Sequence, residues 1–398
     1  MINSYTTNTA SNQVNMNTTQ QINGPLNIIR LDHPSLSKVI YLFLDVHLSL
    51  KNQTQCKSVF AQDITKYLIT TFIDMHDANH KCDFFLEILP SEVHSHTDYT
   101  ATDIYIEQVL KLFKYMVHVK NNTTSTIATS PLVKNVRLHY MDIREYFADD
   151  IDFCIDSIMK NLSDKSAVNN KKLLRITKAY TNLINYLESI RVEDATSLTQ
   201  DQLSVIRKIR YTYNYETNEA VINHKWNAIV KPRIKFIIAK ITGAIKSITQ
   251  VIESNGAQLT TLIKNKYAKK HEYTYEYGFI NLDMHLRDFK NDFEYIDQQI
   301  TYLMTYITDL YFFRRFIDKD YVTNAVVYVG ANHTFNYIDL LVKDYGFVIS
   351  HCANNKGSSM RELTSFAKNN SLLSYGKVFL PDELLQCSAI TGFPKQFG

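Results

Sequence analysis

Five short, almost uninterrupted apolar runs govern what this chain can become. They are Val39–Leu44 (VIYLFL), Asp83–Leu89 (DFFLEIL), Val136–Met141 (VRLHYM), Ala325–Val329 (AVVYV) and Gly346–Ser350 (GFVIS). A strand that is wet on one face alternates apolar and polar residues. These runs are apolar on both faces, the habit of parallel strands covered on each side by helices. The stretches between them agree: Ser58–Met75, Asp103–Val119 and Thr334–Asp344 repeat apolar residues at helical spacing, which makes strand–helix–strand units. The fold expected is α/β, a mostly parallel sheet flanked by helices.

Between residues 150 and 320 the pattern changes. Lys172–Arg191, Trp226–Glu253 and Asp283–Ile317 carry long helical patterns that no strand-like run interrupts, predicting a large all-helical insertion. It would divide the α/β core into 25–149 and 321–398. The segment Met304–Phe316 (MTYITDLYFFRRF) is apolar on one face and reads as a helix that packs against the sheet. Residues 1–24, rich in Asn, Thr and Gln and without a basic-then-apolar leader, read as a disordered tail.

Forty-three basic and 40 acidic residues leave a net charge of +3, too little to attract nucleic acid or an anionic membrane by bulk charge, so no nucleic-acid partner is expected. No apolar run approaches the roughly 20 residues of a membrane-spanning helix. Cys56, Cys82, Cys154, Cys352 and Cys387 are scattered, odd in number and without a Cys-x-x-Cys pair, which reads as free thiols in a reducing, cytoplasmic setting.

Ligands of open parallel sheets sit beyond the carboxyl ends of the strands, where helix N-termini present unpaired N–H groups. The first run ends in Asp45-Val46-His47, the second carries Glu87, the third leads to Asp142-Ile143-Arg144, and the fourth ends in Gly330-Ala331-Asn332-His333. In extended backbone Asp45 and His47 would share a face. Glu87, set in an apolar run, needs a partner, since an unpaired buried carboxylate is costly. Any single Asp or His after a strand is more often a turn former or helix cap; it is their convergence that suggests a site. Two histidines with two or three carboxylates can hold a divalent ion and activate water for hydrolysis, so Asp45, His47, Glu87 and His333 are the expected ligands. Asp142 would support them, and Arg144 would clamp a substrate carboxylate or phosphate. His94 and His96 follow Glu87 in a loop and are possible extra ligands.

The order LFLDVH, FFLE and a late GANH resembles the clan that groups TraB/TIKI proteins, ChaN-like haem-binding proteins and erythromycin-esterase-like hydrolases. It also resembles uncharacterised large-DNA-virus proteins in which DxH, FLE, DxR and GxxH appear in this order. The likeness covers residues 26–145 and 322–352. It implies a metal-dependent hydrolase in which His47, Glu87, Gly330 and His333 match motif positions, acting on a small-molecule or peptide substrate in a host cytoplasm or virion. Leu44 stands where the first motif has glycine, and Asp45 where glutamate is common. Two competing readings remain. A metallophosphoesterase shares Asp-x-His and a Gly-Asn-His element, although this chain lacks its Gly-Asp-x-x-Asp and Gly-His-x-His elements. A non-catalytic viral structural or host-interaction protein would keep the fold and use its helices as a binding surface.

Overall fold

The computed structural model describes residues 20–47, 55–75, 81–87, 89, 105–116, 127–130, 133–163, 170–268, 275–395 and 397. The first part contains β1 (Gln21–Asn23), β2 (Asn27–Asp32), β3 (Val39–Asp45), β4 (Gln62–Asp63), α1 (Ile64–Asp74), β5 (Cys82–Leu86), α2 (Tyr105–Met116), β6 (Ile127–Ser130) and β7 (Val133–Tyr140). Helices follow: α3 (Glu145–Ser163), α4 (Asn170–Val192), α5 (Gln200–Tyr211), α6 (Glu216–Lys225), α7 (Lys231–Ala268) and α8 (Tyr275–Asp318). The chain returns through β8 (Asn324–Gly330), α9 (Ala331–Lys343), β9 (Val348–Cys352), α10 (Met360–Asn369), α11 (Tyr375–Phe379) and β10 (Cys387–Ala389).

Among the described residues, seven strands form one sheet in the order β6-β7-β5-β8-β3-β2-β9. The four central strands β7, β5, β8 and β3 are mutually parallel. The flanking pairs β6–β7, β3–β2 and β2–β9 are antiparallel. The sheet is thus parallel where four of the five apolar runs lie; the fifth, Gly346–Ser350, leads into β9, a less buried edge strand that pairs antiparallel with β2. A smaller sheet, β10-β1-β4, packs beside it.

Strand side chains alternate between two apolar layers, as the period of 2 requires. Ile40, Leu42, Phe85, Ala325, Val327 and Val329 face the layer that contains α8, α9 and the helices before them. Tyr41, Phe43, Phe84, Leu86, Val326 and Tyr328 face the layer of α1 and α2. Phe312 of α8 meets Phe85 edge-on at 5.0 Å between ring centroids, so the Met304–Phe316 segment lies on the sheet. All described elements between β7 and β8 are helical. Their apolar residues, from Ile151 through Ile248 to Phe316, belong to the same continuous core as the sheet face.

Two expectations change. Of residues 1–24 only 20–24 are described, and Gln21–Asn23 there is a strand held between β10 and β4; residues 1–19 lie outside the described residues. Cys56 and Cys387 are not free thiols but form a disulfide across a sequence separation of 331, while Cys82, Cys154 and Cys352 are free and buried. No helix among the described residues is long and apolar enough to cross a membrane.

Candidate functional site

Because β3, β5, β7 and β8 run parallel, their carboxyl ends meet at one edge of the sheet. Their register sets Asp45 beside Gly330, and Leu86 beside both Tyr140 and Tyr328. β8 comes late in the chain yet lies between β3 and β5: the chain leaves β5 for β7 in one direction and leaves β8 for β9 in the other, so the connections from these two neighbouring strands part between them. That reversal of strand order is where open α/β sheets form a ligand crevice. Asp45, His47, Glu87, Asp142, Arg144 and His333 all come to this place.

Glu87 is the centre of the group, with its side chain 9% exposed. It continues the Asp83–Phe85 face of β5 and so points toward the layer of α8 and α9. Its Oε2 accepts the Gly330 N–H at 3.0 Å and lies 3.4 Å from His47 Nε2. Its Oε1 accepts from Arg144 Nη2 at 3.2 Å and lies 3.3 Å from His333 Nε2. Gly330 leaves room for this closeness: a Cβ there would stand 2.8 Å from His47 Nε2, which would have to move aside.

Asp45 lies on the opposite face of the sheet from Glu87, fully buried, with Oδ1 accepting the Val46 N–H at 2.8 Å. The expected sharing of a face through extended backbone does not occur, because His47 has φ of 51°. A non-glycine residue in that left-handed region stores strain of about 1–3 kcal/mol, a cost found most often at functional positions. The turn swings the imidazole across the strand end, so that Nδ1 faces Asp45 Oδ2 at 3.4 Å while Nε2 faces Glu87. Asp45 therefore stands behind His47 and not beside Glu87.

Asp142 grips Arg144 rather than the histidines. It accepts the Arg144 backbone N–H at 3.0 Å, Nε at 2.8 Å and Nη2 at 2.5 Å. A guanidinium fixed by a carboxylate fork is a preorganised cation, and with 36% of its side chain exposed it reaches the rim.

One residue at this site escaped the sequence reading. Asp309 of α8 is fully buried, and its Oδ1 lies 2.5 Å from His333 Nδ1. Its Oδ2 accepts from Asn336 Nδ2 at 2.5 Å. A lone acid just before LYFF, on an otherwise apolar face, was the signal available, by the same rule that singled out Glu87.

The charges hold one another. Burial alone would raise the Glu87 carboxyl, but the charge of His333 and the contacts from His333 and His47 hold it well below the usual range. Burial works against a charge on His47, and its contacts with Asp45 and Glu87 outweigh that, raising it to about 9. His333 follows the same pattern: burial disfavours its charge, while Asp309 and Glu87 raise it to about 10.

The described residues contain no ready-made group of three or more His, Cys, Asp or Glu side chains for a metal ion. The chemistry of the donors nevertheless suits one, since two imidazoles and a carboxylate are a donor set for a divalent ion. His47 Nε2 lies 3.4 Å from Glu87 Oε2 and His333 Nε2 lies 3.3 Å from Oε1, so the two rings face the two oxygens of one carboxylate, both beyond the usual N–H···O length of about 2.9 Å. Each imidazole also turns its other nitrogen to a buried acid, the support that metal-binding histidines receive. A cation bound there would displace the protons that hold both rings to Glu87. His94 and His96 lie outside the described residues.

The chain belongs to DUF5847, a family of unknown function whose model matches residues 20–202 and 190–398. Three uncharacterised proteins of Acanthamoeba polyphaga mimivirus are similar to it over nearly their whole length. One is 31% identical, covering 95% of this chain and 97% of its own. The others are 28% and 27% identical, covering 95% of this chain and 97% and 98% of theirs. No solved structure matches the chain.

Proposed function

We propose that this chain is a metal-assisted hydrolase of the type implied by its resemblance to the TraB/TIKI, ChaN-like and erythromycin-esterase-like clan, encoded by a large DNA virus. One observation carries the reading: two imidazoles present the same nitrogen, Nε2, to the two oxygens of a single buried glutamate, and each has its Nδ1 against a buried acid. His47, His333 and Glu87 would hold the cation. A divalent ion there supplies Lewis acidity toward water and toward a carbonyl or phosphoryl oxygen.

The other residues have work that this chain does itself. Asp45 orients His47. Asp142 fixes Arg144, and Arg144 at the rim binds the anionic part of a substrate or of its transition state. Glu87 holds Arg144 from inside, through Oε1. In this reading α3–α8 are a large insertion into an α/β core, and of the two settings, host cytoplasm and virion, the Cys56–Cys387 disulfide favours the virion.

The test is metal content. The purified protein, dialysed against zinc and then against buffer, is compared with His47→Ala and His333→Ala. About one equivalent in the wild type, lost from both variants, supports the proposal. Equal content in all three, or none in the wild type, removes it. A second reading then gains: the Glu87 oxygens already have the Gly330 N–H and Arg144 as donors, as in a self-satisfied ion-pair network of a non-catalytic viral structural or host-interaction protein.

A further inference from the structure

We propose that Asp309 is the positioning residue for His333, so that the helices between β7 and β8 supply part of the site instead of a separate binding surface. The proposal builds on the metal-site reading above. Asp309 is fully buried beside Leu310, Phe312 and Phe313. His333 and Asn336 stand three residues apart on α9 and so share a face, and between them they engage both Asp309 oxygens at 2.5 Å. Joining two helices does not need this. Apolar side chains of similar volume hold such a contact at least as well as a buried ionic pair, and Phe312 already stacks on Tyr337 with centroids 4.4 Å apart.

What the acid adds is direction. An imidazole that donates its Nδ1–H to a fixed carboxylate has one tautomer and one ring plane. Here that plane aims Nε2 at Glu87 Oε1, 3.3 Å away. Since α8 lies before β8 and α9 after it, the orientation exists only when the helical part of the chain is packed on the sheet. The last parallel strand and the last long helix must both be in place before His333 is usable.

The experiment uses the full chain as wild type, Asp309→Asn and Asp318→Asn. The amide introduced by Asp309→Asn keeps an oxygen for His333 and can be satisfied by a flipped Asn336, so folding is retained. Asp318 is a control on the same helix: it is fully buried and accepts the backbone N–H groups of Asn214 and Tyr215. Zinc affinity is measured by chelator competition, the His333 ring nitrogens by nitrogen-15 NMR, and stability by thermal unfolding. Asp309→Asn is expected to weaken zinc binding by about 10–100-fold and to change the His333 nitrogen signals. Asp318→Asn is expected to lower the melting temperature and leave both other readouts alone. The proposal is overturned if Asp309→Asn keeps zinc affinity within threefold and the His333 signals do not move, or if Asp318→Asn reproduces its losses. Should the wild type bind no zinc, the metal reading fails, and the nitrogen signals still decide the role of Asp309.

Discussion

Replacing Gly330 by alanine separates the geometry of the site from the stability of the fold. The backbone accepts the change, since φ at Gly330 is −63°. Removing glycine from the unfolded ensemble gains about 0.4–1 kcal/mol, which roughly offsets the poorer helix N-cap that alanine makes. The difficulty is the new methyl group, 2.8 Å from His47 Nε2, 3.4 Å from His47 Cδ2 and 3.6 Å from Glu87 Oε2. Ordinary contact begins near 3.5 Å, so Nε2 has to retreat by about 0.7 Å. His47 can do this because 37% of its side chain is exposed, which keeps the overpacking cost at the low end of about 1–3 kcal/mol. A ligand position, however, tolerates only about 0.2 Å, and misplacement by about 1 Å costs a catalytic group up to about 100-fold. The expected result is a denaturant midpoint within about 1 kcal/mol of wild type, with zinc affinity reduced at least tenfold in chelator competition. Undiminished zinc binding would refute the reasoning, because it would mean that His47 and Glu87 do not act from where they stand. A loss of more than about 3 kcal/mol would refute it differently, by showing that the imidazole cannot yield.

Three further perturbations have defined outcomes. Glu87→Gln leaves two buried or half-buried imidazoles without their shared anion, so zinc binding should vanish and chemical denaturation should show a loss of about 3–5 kcal/mol; a neutral effect on both would remove Glu87 from the centre of the site. His139 is fully buried with Nε2 on Asp83 Oδ1 at 2.6 Å, and burial lowers it to about 4. The unfolded chain therefore binds more protons between about 6.5 and 4, and stability should fall by up to about 3 kcal/mol as pH drops through that window. His139→Gln should flatten the profile there, and an unchanged slope would assign it elsewhere. Converting both Cys56 and Cys387 to serine opens a cross-link spanning 331 positions, worth up to about 6 kcal/mol in the chain-entropy view. Unfolding under non-reducing conditions should shift accordingly, and reduction should then have no effect on the double variant; equal melting of the two oxidised proteins would show the bond to be inert.

What could be read from the sequence follows from how local each cause is. The central strands declared themselves because burial on both faces leaves a run with no polar alternation: Val39–Leu44 became Val39–Asp45, and Ala325–Val329 became Asn324–Gly330. The strand β2 did not, since Asn27, Arg30 and Asp32 break up its six residues, with Arg30 and Asp32 pairing at 2.7 Å on a less buried part of the strand. The ends of parallel strands coincide by topology alone, so Asp45, His47, Glu87, Asp142, Arg144 and His333 were legible as a group. Their individual directions were not. The left-handed backbone at His47 has no glycine to announce it, and it overrode the face-sharing that a spacing of two suggests. Asp309 reaches His333 from a different helix, and the partner of Cys56 lies 331 positions away; tertiary pairing of this kind leaves no periodic trace.

The unbroken apolar layer from the sheet face through α3–α8 has a practical meaning for anyone who wishes to dissect this molecule. There is no seam along which to cut: a fragment ending near Asp142 would expose Ile40, Leu42 and Phe85 to water, and the excised helices would bare the surfaces that had covered them. On heating, α3–α8 should therefore lose their structure together with the sheet face that they cover and not as a separate unit, which hydrogen exchange would show as common protection of both.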